Sequence, residues 1–378
     1  MKIIHVIEPF AAGLVTFLQD IVADTKNNEF IIIHGERKNV MKADDVKKVL
    51  PDNIKYIRWT NAIRNISLKQ DIKAGIELYK ILKPYKNCDI VHLHSSKAGF
   101  IGRIVCFLLG IKNVVYTPNG VSFINKDISK IKSLTYLLLE LFGYLFAGKV
   151  ISTSISEYEA LKKNKIKSKT IFNGTNISDK PFKRYEHKKF RIVTSGRIAK
   201  QKAPNLFNII AKHFENDDNY EFIWVGDGIQ NELLNSKNIT KTGWLNKSEV
   251  EKYLQSADLY ISTARWEGLP FSVLEAMNVG LPLLLSKCIG NKDLVVEGIN
   301  GLFYDTYNEA IENIKLLKDH KEIANLMGIN SHKICSDNYC NKHANAIYQN
   351  LYVSIILHQD IVLGYDKPNC NIRQVIYT

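Results

Sequence analysis

The chain has 378 residues, of which 46% are hydrophobic and 24% are charged. This balance excludes a disordered or fibrous chain, and the length suits two domains of ordinary size. Lysine and arginine outnumber aspartate and glutamate by 51 to 38, which gives a formal net charge of +13. Such an excess favours polyanionic partners: nucleic acid, an anionic membrane surface or phosphorylated small substrates.

Short runs of valine, isoleucine and leucine without polar alternation are typical of parallel strands with both faces buried. In the first half they predict strands at residues 2–7, 30–34, 54–59, 89–94, 113–117, 150–153 and 169–172. Periodic stretches between them predict helices at residues 13–23, 72–82 and 97–109. The apolar stretch 134–147 is too short to span a membrane and predicts a buried or half-buried helix, with a helix lying in the membrane interface as the alternative.

The same alternation restarts after a polar, basic connector at residues 176–189. The predicted strands are residues 190–194, 220–225, 239–242, 258–263, 281–285 and 301–304, and the predicted helices are residues 204–214, 247–255, 272–279, 292–297, 308–317 and 342–357. We therefore predict an α/β fold with two Rossmann-like domains facing a cleft, at residues 1–176 and 190–340. Residues 341–378 would form a helix and tail, and that helix could cross back to the first domain.

The strongest local signal is the segment RWEGLPFSVLEAM at residues 265–277. A predicted strand ends before it, and a helix begins at Phe271 or Ser272. Free backbone amides and the positive end of this helix would form an anion site. Glu267 in the loop and Glu275 one turn inside the helix are carboxylates of the kind that accept hydrogen bonds from sugar hydroxyls. The pattern alone also allows a plain surface loop at Glu267 and a simple ion pair at Glu275.

A second signal, TSGRIAKQK at residues 194–202, follows the first predicted strand of the second domain. Arg197 and Lys202 would neutralise a diphosphate and stabilise it as a leaving group. The segment WVGDG at residues 224–228 ends another predicted strand, and its glycines permit the close approach of a ligand.

In their joint order these motifs resemble the group 1 glycosyltransferases of family 4, which have the GT-B fold. Glu267 and Glu275, with seven residues between them, are similar to the paired-glutamate motif of that family. The resemblance extends to residues 92–99, 116–120, 173–174, 243–244 and 298–302. It covers about residues 1–350 and implies a retaining hexosyltransferase of the bacterial surface-polysaccharide type that uses a nucleotide-sugar donor.

The resemblance also implies roles for single residues. Arg197 and Lys202 would hold the donor diphosphate, Glu275 would bind the nucleotide ribose, and Glu267 would bind the transferred sugar. His94 would lie near acceptor and sugar, and Asn119 would lie on the acceptor side. The implied catalytic set is Glu267, Arg197, Lys202 and His94. The other implied donor-side residues are Gly13, Gly196, Gly226, Trp244, Gly268, Leu269, Phe271 and Ser272.

The sequence departs from the family pattern at three places. Alanines at positions 11 and 12 precede Gly13 where two adjacent glycines are usual, Asn119 stands where histidine is common, and Ala203 stands where glycine is usual. No Asp-x-Asp triplet occurs, so carboxylates for a divalent metal are not evident. We expect the basic pair and the helix end to take the place of a metal, with no cofactor.

Four residues near position 340 have a spacing like that of zinc ligands. His332, Cys335, Cys340 and His343 have the spacing H-x2-C-x4-C-x2-H, but this stretch also reads as helix and turn, and structural zinc pairs usually bracket a longer loop. We therefore expect no metal there.

The first residues predict a buried strand and not a secretory signal, which favours a reducing cytoplasm.

The combined expectation is a transferase that extends O-antigen or capsule on a lipid-diphosphate carrier, with UDP-galactose as the first candidate donor. Its expected partners are the nucleotide-sugar, the lipid-diphosphate-linked acceptor and the cytoplasmic face of the bacterial inner membrane. Nucleic acid is not expected, because the basic runs lack interleaved aromatic residues. Two alternatives stay open: a nucleotide-sugar epimerase of the same architecture, and a non-catalytic, membrane-associated scaffold.

Overall fold

The computed structural model describes residues 1–359 apart from 9, 11–12, 24–27, 37–43, 45–46, 49, 52, 64–65, 126 and 178–187. Two compact units divide the described chain: one comprises Met1–Asn173 with residues 342–359, and the other comprises Gly174–Asn341. Most of the predicted connector at 176–189, the alanines at positions 11 and 12, and the tail after residue 359 lie outside the described residues.

The first unit contains a seven-stranded parallel sheet in the order β3-β2-β1-β4-β5-β6-β7. Its strands are β1 (Lys2–Ile7), β2 (Glu29–His34), β3 (Lys55–Arg58), β4 (Ile90–His94), β5 (Val114–Thr117), β6 (Lys149–Ser152) and β7 (Ser168–Thr170). Its first five helices are α1 (Gly13–Ala23), α2 (Leu68–Leu82), α3 (Ser95–Leu108), α4 (Lys130–Tyr144) and α5 (Ile155–Lys163). Every residue of β4 is buried, as expected for a parallel strand covered on both faces.

The second unit contains a six-stranded parallel sheet in the order β10-β9-β8-β11-β12-β13. Its strands are β8 (Phe190–Ser195), β9 (Tyr220–Val225), β10 (Ile239–Lys241), β11 (Leu259–Ser262), β12 (Leu283–Ser286) and β13 (Gly301–Tyr304). Its helices are α6 (Pro204–His213), α7 (Lys247–Gln255), α8 (Phe271–Asn278), α9 (Tyr307–Asp319) and α10 (Lys321–Asn338). Both units therefore have the doubly wound, Rossmann-like architecture that the sequence predicts.

The last helix, α11 (Asn341–Ile356), packs on the sheet of the first unit. The side-chain amide of Asn345 donates a hydrogen bond to the backbone carbonyl of Asp20 at the end of α1, at 3.0 Å. Tyr352 places its hydroxyl 2.7 Å from Nδ1 of His92 on β4. These buried polar contacts fix α11 over the centre of the sheet.

Three helices differ from the sequence prediction. The helix expected at 292–297 is wrong, because only a short 3₁₀ turn forms at Asn291–Asp293. There the side chain of Asn291 donates to the carbonyl of Ser286 and competes with helical pairing. The sequence pattern predicts neither helix α5 nor helix α10. No helix within the described ranges is long and apolar enough to cross a membrane.

Candidate active site

In doubly wound sheets, ligands bind beyond the carboxyl ends of the strands, at the point where the strand order reverses. In the second unit this switch point lies between β8 and β11. The sequence motif containing Gly196 and Arg197 follows β8 directly, and the motif containing Glu267 follows β11. The two strongest motifs, residues 194–202 and 265–277, are far apart in the chain, yet the topology brings them to one edge of one sheet.

Lys202 and Glu267 form an ion pair at this edge. Nζ of Lys202 lies 2.9 Å from Oε1 of Glu267, and the two side chains are only 17% and 10% exposed. Burial alone would lower the pKa of Lys202, but the adjacent Glu267 carboxylate outweighs burial and raises the pKa. The lysine is therefore held as a cation in a nearly dry site, where its charge acts strongly on a neighbouring ligand.

Glu267 has a second partner, and its Lys202-facing oxygen can accept a further hydrogen bond. Gln201 donates from Nε2 to Oε2 of Glu267 at 3.2 Å and to the backbone carbonyl of Trp266 at 3.0 Å. Oε1 of Glu267, which faces Lys202, receives no aligned hydrogen bond although it is buried. A buried carboxylate oxygen that receives no aligned hydrogen bond can accept one from a ligand hydroxyl. The arrangement fits the sugar-binding role implied for Glu267.

The loop after β11 leads directly into α8. Leu269 is buried, Pro270 takes the N-cap position, and no side chain caps the first turn of α8. Lys202 donates from Nζ to Oγ of Ser272 in that turn, at 3.3 Å. A cation, a hydroxyl and uncapped amides therefore converge at the positive end of the helix, which is an arrangement that binds phosphate.

The remaining donor-side predictions fall around the same edge. Arg197, Phe271 and Glu275 are half-buried, and Glu275 lies one turn into α8. Gly268 lies in the loop between Glu267 and Leu269. Trp244 is 43% exposed and follows β10, the edge strand of the sheet.

Gly226 ends β9 against the loop that follows β8. Its φ is +141°, and a Cβ placed there would lie 2.2 Å from the backbone oxygen of Gly196. Only glycine fits this approach of the two loops. The amide of Gly226 also donates to Oγ1 of Thr242 at 3.2 Å, which ties the loop containing Trp244 to the same edge.

Sequence reasoning missed three residues that support the ion pair. Gln201 holds Glu267, as described above, and Thr263 donates from Oγ1 to the backbone oxygen of Lys202 at 2.6 Å. Gly290 packs under Glu267, because a Cβ there would lie 2.8 Å from Cβ of Glu267 and 2.5 Å from the oxygen of Gly268. Gln201 lies inside the quoted basic motif, but no sequence signal points to Thr263 or Gly290.

In the first unit the switch point lies between β1 and β4, and a histidine cluster occupies it. This cluster consists of His5, His92 and His94, all buried. Nδ1 of His5 lies 2.9 Å from Nε2 of His94, and His92 contacts the hydroxyls of Tyr352 and Thr117. His94 is only 1% exposed, and its predicted role beside acceptor and sugar stays a prediction.

Burial makes the histidine cluster neutral. It lowers the pKa of His5 to about 3, and it lowers the pKa of His92 and of His94 well below the usual 6.5. The three rings offer nitrogens within 4.8 Å of one another, the only such set of possible metal ligands among the described residues. Four of the six ring nitrogens pair with hydroxyls or with each other, whereas Nε2 of His5 and Nδ1 of His94 are buried without a hydrogen-bond partner.

Asn119 and Gly13 complete the predicted first-unit residues. Gly13 begins α1 beside the end of β1, and both residues are half-buried. Asn119 has a φ of +55°, and its side chain donates to the carbonyl of Thr117 at 3.2 Å. The buried Glu157 accepts hydrogen bonds from the amides of Gly120 and Val121 and so fixes the turn that presents Asn119. Glu157 had no sequence signal.

The zinc-like spacing near the end of the second unit has a structural explanation. His332 and Cys335 lie on α10, where Nδ1 of His332 contacts the carbonyl of Asn278 at 2.8 Å. Sγ of Cys335 donates to the carbonyl of Leu274 at 3.6 Å. Both side chains therefore serve the packing of α10 against α8.

Comparison with known proteins relates this fold and site to the glycosyltransferases. The family model for group 1 glycosyl transferases matches residues 176–333. The chain is 29% identical over 339 residues to the UDP-Gal:alpha-D-GlcNAc-diphosphoundecaprenol alpha-1,3-galactosyltransferase of Escherichia coli, covering 82% of this chain and 86% of that protein. It is 28% identical over 288 residues to the O-antigen biosynthesis glycosyltransferase WbnH of Escherichia coli, covering 73% of this chain and 81% of that one.

Solved structures support the same fold. The crystal structure of Anabaena Alr3699/HepE in complex with UDP and glucose has a TM-score of 0.76 at 18% identity, covering 94% of this chain and 100% of that chain. Residues 176–333 match the group 1 model, and the chain is a glycosyltransferase of the GT-B fold. This assignment replaces the epimerase and scaffold alternatives.

Proposed function

We propose that this chain transfers a hexose or an N-acetylhexosamine from a UDP-sugar to a lipid-diphosphate-linked acceptor, with retention of anomeric configuration. UDP-galactose is the first candidate donor, and the product is an intermediate of O-antigen or capsule synthesis. The enzyme works at the cytoplasmic face of the inner membrane. The name of the 29% identical relative supports both the donor and the acceptor class, because that protein uses UDP-Gal and a diphosphoundecaprenol-linked sugar.

The observation that carries the proposal is the ion pair between Lys202 and Glu267 at the uncapped start of α8. Lys202 lies 2.9 Å from Glu267 and 3.3 Å from Ser272, so one cation faces both a sugar-binding carboxylate and a phosphate-binding helix end. A nucleotide-sugar presents a diphosphate and a sugar in adjacent positions. The Lys202–Glu267 pair therefore suits the two groups that the broken bond joins, the diphosphate and the sugar.

In the proposed reaction the bond between the donor anomeric carbon and the diphosphate oxygen breaks, and a bond from the acceptor oxygen forms on the same face. Lys202, Arg197 and the amides of α8 stabilise the negative charge that develops on the leaving UDP. The acceptor proton passes to an oxygen of that diphosphate. Glu267 orients the sugar, and Glu275 binds the ribose.

We also propose that transfer is independent of metal ions. Lys202 is cationic at the site, and the helix end supplies further positive potential, so the diphosphate is neutralised without a divalent ion. Full activity in the presence of a chelator is the expected result. Loss of transfer on chelation, with recovery on adding magnesium or manganese, would overturn this part of the proposal.

The test is transfer of labelled sugar from a panel of UDP- and GDP-sugars into lipid-extractable product, with bacterial membranes and chelator present. We expect label from one UDP-sugar and its loss in Glu275→Ala. Glu251→Ala, a substitution of the same kind on the exposed face of α7, serves as the matched control and keeps activity. Label from a GDP-sugar alone would contradict the donor, and conversion of the donor without lipid label would contradict the acceptor.

A further inference from the structure

The outer face of α4 is apolar and open to solvent. Ile131, Leu134, Leu138 and Phe142 follow the spacing of one helical face, and each is between 49% and 80% exposed. An apolar groove of about 600 Å³ opens along the same helix and includes Leu138 and Leu145 in its lining. Single exposed leucines are common on soluble proteins, but a continuous stripe of this kind marks a contact surface.

A second stripe lies on α2. Leu68, Ile72 and Ile76 are spaced four residues apart and are 79%, 55% and 53% exposed. Between the two stripes, at the end of α3, Phe107 and Leu108 are 56% and 64% exposed. Outward apolar side chains therefore recur on three consecutive helices of the first unit.

The three helices form one layer. The crossovers from β3 to β4, from β4 to β5 and from β5 to β6 all run in the same direction along the sheet. Because such crossovers are right-handed, α2, α3 and α4 cover the same face of the sheet. Helix α3 packs against both of the others. We call the exposed side of this layer the outer layer surface.

Every acidic residue of these three helices is engaged within the unit. Asp71 pairs with Lys97, and Glu77 accepts hydrogen bonds from the amides of Thr60 and Asn61 at 2.8 and 2.7 Å. Glu140 is buried and contacts Arg103. The exposed charges of the layer are lysines, at positions 69, 73 and 80 of α2 and 130 and 132 of α4. The outer layer surface is therefore apolar and cationic at once.

The buried ion pair determines which side of α4 faces outward. Nη2 of Arg103 lies 2.7 Å from Oε1 of Glu140, and the hydroxyl of Tyr116 donates to Oε2 at 3.1 Å. The guanidinium of Arg103 also lies 4.4 Å from the centroid of the Tyr116 ring. A leucine-rich helix has several apolar faces, so a buried polar contact of this kind fixes its rotation and keeps the stripe exposed.

We propose that the outer layer surface binds an anionic lipid bilayer, with the apolar stripes in the interface and the lysines on the headgroups. Lysines near anionic lipid and apolar side chains below the headgroups contribute together, which suits a surface that has both. The proposal rests on the proposed function, because the lipid-linked acceptor would lie in the same bilayer. To that function it adds which surface of the first unit contacts the bilayer, how that surface is oriented, and that it prefers anionic lipid.

The test is co-sedimentation of the full chain with vesicles of phosphatidylcholine alone or with 30% phosphatidylglycerol. We expect binding to the anionic vesicles, weakened by salt, and a loss of at least about tenfold in Leu134→Ser/Leu138→Ser. Lys130→Gln/Lys132→Gln should weaken binding about fivefold. The matched control is Leu326→Ser/Ile329→Ser on α10, where the residues are 60% and 58% exposed; it should bind like the parent.

The surface would be overturned by equal binding to both vesicle types, by equal loss in the α10 variant, or by a dimer that Leu134→Ser/Leu138→Ser dissociates without any vesicle binding. Thermal unfolding of each variant at the parent temperature establishes that the fold is intact. The proposed function fails separately, when the chain binds vesicles but transfers no sugar to lipid. Transfer to a detergent-dispersed lipid acceptor without vesicle binding would retain that function and overturn the surface.

Discussion

The two units have the same architecture, but the chemistry at their switch points is opposite. In the second unit, an ion pair between Lys202 and Glu267 stands at the strand ends, and the lysine pKa is raised. In the first unit, three buried histidines lie on the two strands that flank the switch point, and their pKa values are lowered. Charge suits a diphosphate leaving group, and neutral hydrogen-bonding groups suit the hydroxyls of an acceptor. The same fold therefore presents a charged environment at one switch point and a neutral one at the other.

The largest expected effect comes from breaking the ion pair. Lys202→Met leaves Glu267 uncompensated in a nearly dry site, so transfer should fall by about 10²–10³-fold and the free energy of unfolding by about 3 kcal/mol. Initial rates of UDP release and urea unfolding measure the two effects.

A double variant separates stability from chemistry at this pair. Lys202→Met/Glu267→Leu removes both charges and should recover most of the stability, because the buried pair itself contributes little net free energy. Activity should stay lost. Lys200→Met, at an exposed lysine in the same turn, is the control and should change neither quantity. Recovery of activity in the double variant would show that the charges are not used in the reaction.

Acidification tests the neutral histidine cluster of the first unit. The folded-state pKa of His5 is about 3 and that of an unfolded histidine is 6.5, so the unfolded chain binds more protons below pH 6.5. Stability is full above that value and is lost as the pH falls toward 3. At pH 5.0 we expect a loss of about 2 kcal/mol from His5, and His92 and His94 add to the loss in the same direction.

Urea unfolding followed by tryptophan fluorescence measures this loss, since Trp59 is buried in the first unit. His5→Gln should show a smaller difference between pH 7.5 and pH 5.0 than the parent, because one titrating ring is removed. An unchanged difference would mean that His5 is not the buried, neutral group described above.

The next effect concerns a residue beneath Glu267. Gly290→Ala places a Cβ 2.5 Å from the oxygen of Gly268 and 2.8 Å from Cβ of Glu267, so the carboxylate must shift. We expect about a tenfold loss in kcat and a destabilisation of about 2 kcal/mol. Gly298 has a similar φ of +76°, and a Cβ placed there would have no atom within 4 Å. Gly298→Ala therefore tests backbone strain alone. Equal losses in both variants would assign the effect to strain and not to Glu267.

The sequence predicts the sheet well and the pairings within the site poorly. The strand ends observed lie within two residues of those predicted, because doubly buried strands have uninterrupted apolar runs. The location of the donor motifs follows from topology, since both come directly after strands at the switch point. The ion pair does not follow, because Lys202 and Glu267 are distant in sequence and only the turn geometry aims one at the other.

The same limit applies to the first unit. His94 has a family precedent, but His5 and His92 acquire their meaning only from the pairing of β1 with β4, which places His5 opposite His92. Glu157 is similar, because its hydrogen bonds go to backbone amides that carry no side-chain signal. Residues that act through backbone contacts are the ones that a single sequence conceals.

The smallest effect concerns Ala203, which stands where the family has glycine. Its φ is +46° and its ψ is +61°, the left-handed region that costs alanine about 1 kcal/mol. Ala203→Gly should therefore raise the free energy of unfolding by about 0.5 kcal/mol and leave kcat unchanged, because the backbone of Lys202 keeps its bond from Thr263. Ala160→Gly within α5 is the matched control and should lower stability by about 1 kcal/mol. Equal destabilisation by both changes would mean that Ala203 is not strained and that the departure from the family pattern is neutral to the donor loop.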